Sequence, residues 1–87
     1  MKSTAFTVTE TKQIVVPADN INRTIYLHTL GNGTIYIGGS DVTTTNGFLT
    51  EKNAVPFQFF LPAGEELWAV TATATTEQLR VLTPSVD

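Results

Sequence analysis

The sequence predicts an all-β domain, a small antiparallel β-sandwich or partly closed barrel of about seven short strands. Three observations carry this. Short runs in which apolar and polar residues alternate recur along the chain, with a period of two rather than 3.6. Turn signals separate them: Gly31-Asn32-Gly33, Gly38-Gly39, Asn46-Gly47 and Pro62-Ala63-Gly64. Threonine is the commonest residue. With Val, Ile, Phe and Tyr it favours half-buried strands, and strong helix formers are few.

The elements follow in order. Residues 4–9 alternate Phe6 and Val8 with Thr7 and Thr9 and read as a first strand, with residues 1–10 as a possible N-terminal arm. Lys12 to Val16 is a second strand, stopped by Pro17 and the turn-prone Ala18-Asp19-Asn20. Asn22 to Leu30 places Ile25, Leu27 and Thr29 on one face and Tyr26, His28 and Leu30 on the other. If Gly31-Asn32-Gly33 is a three-residue hairpin loop, Leu27 faces Ile37, His28 faces Tyr36 and Thr29 faces Ile35. That register gathers Ile25, Leu27, Ile35 and Ile37 on one side and Tyr26, His28 and Tyr36 on the other. A slip of one residue would mix the two sets.

After Gly39 the chain leaves the sheet. Ser40 to Asn46 is polar except for Val42 and is expected to hold one helical turn capped by Ser40 or Asp41. Phe48 and Leu49 are expected to return to the core, followed by a surface loop at Glu51-Lys52-Asn53. Val55 to Leu61 alternates, with Pro56 marking a strand start or edge. Glu65 to Ala72 is apolar on both faces, and Gln78 to Leu82 is the last strand, with Leu79 and Val81 inward. Residues 83–87 form a tail.

The 87 residues make one domain. A chain this short buries only about 60% of its unfolded surface, so its core is marginal. Small domains usually add disulfides, a metal or association with other chains. The chain has no cysteine and one histidine, which removes disulfides, thiolate sites and a His-built metal cluster. Association is the stabiliser left. Strand alternation puts Tyr26, Tyr36, Phe60, Leu82 and one of Leu67 or Trp68 toward water. Either the second sheet of a sandwich buries some of them or association with other chains does, and the short chain without disulfides favours the second. The expected partner interface comprises Phe6, Val8, Tyr26, His28, Tyr36, Phe60 and Trp68. The first strand would be free to cross to a neighbour.

Five Lys and Arg against eight Asp and Glu give a formal net charge of −3. The cations are scattered, so no phosphate-binding patch forms and nucleic acid is not an expected partner. No apolar run approaches the ~20 residues that span a bilayer. The first ten residues lack the continuous apolar run of a signal peptide.

Catalytic chemistry finds no foothold, and no enzyme activity, cofactor or metal is expected. His28 has tyrosines, not a nucleophile or carboxylate, as its expected strand neighbours. Asp41 to Gly47 approaches a calcium loop, but its glycine falls one place late and Lys52 stands where a bidentate Glu is needed. Gly31-Asn32-Gly33 precedes no helix that could help cradle phosphate. Glu65 and Glu66 are adjacent and point to opposite faces of a strand.

Two runs carry a resemblance. The first is Arg23-Thr24-Ile25-Tyr26-Leu27-His28 followed by Gly33-Thr34-Ile35-Tyr36-Ile37-Gly38-Gly39-Ser40-Asp41-Val42-Thr43-Thr44-Thr45-Asn46-Gly47-Phe48. The second is Leu61-Pro62-Ala63-Gly64-Glu65-Glu66-Leu67-Trp68-Ala69-Val70 with the closing Leu79-Arg80-Val81-Leu82. Over residues 22–82 this pattern resembles small virion accessory proteins of tailed bacteriophages, of the head decoration or head-fibre base type. The resemblance implies a non-enzymatic structural protein that assembles in the host cytoplasm as a homo-oligomer, often a trimer. It would sit outside the capsid on the major capsid protein. With no repeat or coiled-coil extension, the chain suits a short decoration subunit better than a whole fibre. The alternative is a tail- or fibre-associated receptor- or glycan-binding module using Tyr26, Tyr36 and Trp68 as stacking platforms.

Overall fold

A computed structural model describes residues 1–30, 33–51 and 57–84. Among these, the chain forms β1 (Lys2–Val8), β2 (Gln13–Val16), β3 (Arg23–Leu30), β4 (Thr34–Gly38), β5 (Phe48–Glu51), β6 (Phe57–Leu61), β7 (Leu67–Val70) and β8 (Glu77–Thr83). The fold is a β-sandwich of two four-stranded sheets. Sheet 1 has the order β1-β8-β3-β6 and sheet 2 the order β2-β7-β4-β5. All pairs are antiparallel.

Alternation explains the layers. Along β3, Arg23, Ile25, Leu27 and Thr29 are buried while Thr24 and Tyr26 face solvent. On β8, Leu79 and Val81 point inward and Arg80 outward. Sheet 2 answers with Ile35 and Ile37 of β4 and Leu67 and Ala69 of β7. Each aliphatic side chain fully buried here contributes about 1.5–3 kcal/mol. A molecule whose shortest principal extent is 17 Å has room for two sheets ~10 Å apart and little more.

The predicted hairpin between the third and fourth strands does not form. β3 pairs with β6 and β8, whereas β4 pairs with β5 and β7. Gly31 and Asn32 of its expected loop lie outside the described residues, as do Lys52 and Asn53, the start of the sixth strand at Val55-Pro56, and residues 85–87. Ile25, Leu27, Ile35 and Ile37 still share one core, because they meet across the sandwich instead of along one sheet. The other set is divided: Tyr26 and His28 lie on the outside of sheet 1 and Tyr36 on the outside of sheet 2.

The first strand is not a free arm. β1 pairs with β8 from Lys2↔Thr83 to Val8↔Glu77, and Val8 is fully buried while Phe6 packs against the core. Phe48 and Leu49 do not return to the core either. They sit on β5 at the edge of sheet 2, where the opposing layer ends, and both are exposed.

Polar devices close the sandwich. Inside it, Thr29 of β3 donates from Oγ1 to Thr50 Oγ1 of β5 at 2.6 Å, and Thr50 Oγ1 donates to the Ile35 carbonyl at 3.1 Å. At one end, the buried Arg23 guanidinium donates to the Pro17 carbonyl at 2.8 Å and the Glu65 carbonyl at 2.9 Å. Pro62 to Glu65 is a tight turn closed by Glu65 N–H to the Pro62 carbonyl, with Gly64 at φ +86° as a type II turn requires. The Gly64 N–H donates to the Asp19 carbonyl, which ties this turn to the loop before β3.

The direction of the Thr29–Thr50 chain sets an expected asymmetry. Thr50→Val strands the buried Thr29 hydroxyl and removes the bond to Ile35, so it should cost about 1–3 kcal/mol. Thr29→Val leaves the Thr50 donor satisfied and should cost clearly less. Urea unfolding of the two variants checks the order, and equal losses would show that the chain does not carry this load.

Candidate interaction surfaces

Three surfaces present apolar groups to solvent. The first is the outer face of sheet 1. Strand register sets Ser3, Leu82, Tyr26 and Gln58 in one row, and Ala5, Arg80 and His28 in the next. Phe60 lies beside Thr24 toward the β6 edge. Ser3, Ala5, Tyr26, His28, Arg80 and Leu82 line an open, mainly apolar depression of about 440 Å³. Ser3 was not legible as a neighbour of this group, since only the β1–β8 pairing carries it there. It belongs to the Tyr26 row and makes no hydrogen bond to His28, so no nucleophile–base pair is assembled. Arg80 donates to Gln78 Oε1 at 3.4 Å, and Gln78 donates to Thr7 Oγ1 at 3.1 Å.

The second surface is the outer face of sheet 2, and the chain largely covers it itself. Tyr36 stands between Val70 and Leu49, and Trp68 between Ile14 and Gly38. Residues 39–47 fold back over this face. Val42 is buried outside the inter-sheet core, and so is Val70. A Cβ on Gly38 would lie 3.0 Å from Val42 Cγ2, and one on Gly47 would lie 2.7 Å from Tyr36 Cβ and 2.9 Å from the Thr43 carbonyl oxygen. The glycines let the loop touch the sheet.

Within that loop the helical turn is real but starts later than expected. Gly47 N–H donates to the Thr43 carbonyl at 2.9 Å. Thr43, not Ser40 or Asp41, acts as the cap: its Oγ1 accepts from the N–H groups of Thr45 and Asn46, while Asn46 Oδ1 accepts from Thr43 N–H. Lys12 Nζ donates to the Ser40 carbonyl and holds the far side. Tyr36 is thereby half-buried by its own chain. Trp68, also half-buried, donates from Nε1 to Glu66 Oε1 at 2.8 Å. Of the two candidates at this position, Trp68 faces outward and Leu67 is in the core.

The third surface is the flank with the edge strands β5 of sheet 2 and β6 of sheet 1, opposite the β1 and β2 edges. Phe48 is 79% exposed, Leu49 60% and Phe60 58%. Tyr26, on the face of sheet 1, is 38% exposed. The predicted interface set is therefore scattered: Tyr26, His28 and Phe60 on sheet 1, Tyr36 and Trp68 on sheet 2, Val8 in the core with no surface to offer, and Phe6 packed against that core. Phe48 and Leu49 were missed because apolar residues next to a strand were read as core. An edge position was the missing fact.

Among the described residues, no group of three or more His, Asp or Glu lies close enough to hold a metal ion, and no helix is long and apolar enough to cross a membrane. Comparison with protein-family models, curated proteins and solved structures finds no match.

Gly47→Ala tests the covering loop. The added methyl meets Tyr36 and backbone, so it should destabilise the chain by about 1–3 kcal/mol and raise the solvent exposure of Tyr36. Urea unfolding and quenching of tyrosine fluorescence measure both, and an unchanged variant would mean that the loop does not press on the sheet.

Proposed function

We propose that the chain is a non-enzymatic structural subunit of a phage virion, assembling as a homo-oligomer and decorating or stabilising the capsid shell from outside. The reading is supported by the resemblance over residues 22–82. The observation that carries it is the exposure of large apolar side chains on an intact sandwich, at Tyr26 on one sheet face and at Phe48, Leu49 and Phe60 along one flank. Large apolar side chains left exposed at several places on one small domain support association, since burying each gains about 1.5–3 kcal/mol. The outer face of sheet 1 is the surface proposed to meet the shell. Its apolar centre is Tyr26 and Leu82, and Arg80 is the charged group that lines the open depression there.

A second reading draws on the same depression. An aromatic ring flanked by Ser3, His28 and Arg80 could stack a sugar, which is how a receptor- or glycan-binding module would work. Tyr36 and Trp68, on the opposite side of the molecule, would not share that ligand.

Rebinding to heads stripped of accessory proteins separates the two. The capsid reading expects saturable binding of the purified chain, weakened at least tenfold by Tyr26→Ser together with Arg80→Glu. A chain that ignores heads but binds glycans, with the same variant losing them, would replace it by the second reading.

A further inference from the structure

We infer that the β5–β6 flank is a self-association surface, joined by antiparallel pairing of β5 with β5 of a second copy. The inference deepens the homo-oligomer part of the reading above and rests on it. A sheet edge offers a row of backbone donors and acceptors that only another strand satisfies in full, and folded proteins blunt such edges with charge, bulges or cover. On the opposite flank those devices are present. β2 changes register between Ile14 and Val16, and β1 carries Lys2 with Ser3 and Thr7 outward. There the segments are also stitched across the two sheets, by Gln13 Nε2 to the Thr7 carbonyl and by Thr71 N–H to the Thr9 carbonyl.

The β5–β6 flank shows no register shift among the described residues, and its one charged side chain there is Glu51 at the end of β5. β5 pairs only with β4, and β6 only with β3. Their sequences, FLTE and FQFFL, hold one charged residue between them, so a like copy can approach without repulsion along most of the edge. A two-fold axis normal to the sheets reverses strand direction. It therefore sets β5 antiparallel to β5 of the second copy and extends sheet 2 across the pair. Phe48, Leu49 and Phe60 together expose on the order of 350 Å² per copy, given ~150–250 Å² for such side chains. Two copies offer at most roughly 700 Å² from these side chains, against the ~1,200 Å² at which stable interfaces begin, and the paired strand backbones supply the rest.

The test is the solution mass of the intact chain and of Phe48→Lys/Leu49→Lys, with Ile14→Lys on the far flank as a control. The wild type and the control should weigh twice the 9.4 kDa of one chain, and the double variant should fall to half that mass with an unchanged far-ultraviolet spectrum. A wild type of single or triple mass overturns the two-fold pairing, and so does a double variant that keeps the wild-type mass. Should the double variant fail to fold, hydrogen exchange on the wild type decides: β5 amides gain protection as concentration rises if the inference holds, and do not if it fails. Head binding is scored separately. A chain that pairs through β5 yet ignores heads keeps this inference and removes the virion reading.

Discussion

The structure depends on one constraint, which is that a single alternating set of aliphatic side chains has to be covered from both sides. Ile25, Leu27, Leu79 and Val81 supply it from sheet 1, and Ile35, Ile37, Leu67 and Ala69 from sheet 2. Because each strand shows its other face to water, the choice of inward residue at Ile25 determines what Tyr26 must do, and the same holds for Leu79 and Arg80. The Thr29–Thr50 link is tolerated at this layer only because both hydroxyls find partners there.

A layer made from so few residues leaves the chain little to spend on its surfaces. One outer face is covered from within, by the 39–47 loop seating Val42 over Gly38 and against the Val70–Tyr36 region. The other outer face stays open around Tyr26. The ends are tied by main-chain acceptors, with Arg23 spanning the loop before β3 and the turn before β7. The β5–β6 flank is also without cover among the described residues, and that is where the most exposed phenylalanines lie.

The fold class was legible in the chain because alternation and turn residues are local signals. The strand at Arg23–Leu30 and the inward pair Leu79 and Val81 were readable from spacing alone, and so was the Pro62–Gly64 turn. Strand partnership was not. A hairpin between Leu30 and Thr34 and a switch from one sheet to the other both gather Ile25, Leu27, Ile35 and Ile37 on a common apolar side, so face segregation cannot tell them apart. The same gap explains Phe48 and Leu49. Hydrophobicity predicts burial only where a second layer lies above, and the edge position of β5 is a property of the whole topology. At the candidate surfaces, Tyr26 and Phe60 were found by alternation, Ser3 needed the β1–β8 register, and Tyr36 was misplaced because the loop that covers it looked like a polar excursion.

These observations join in one account, of a sandwich complete in its interior and open along one side among the described residues, where we propose that a second copy pairs. Association of folded chains stabilises them by mass action, so the unfolding midpoint has to depend on concentration. Thermal unfolding followed across a hundredfold range of chain concentration tests this most directly. The account expects the midpoint to rise steadily with concentration. A midpoint that stays constant across the range would contradict it.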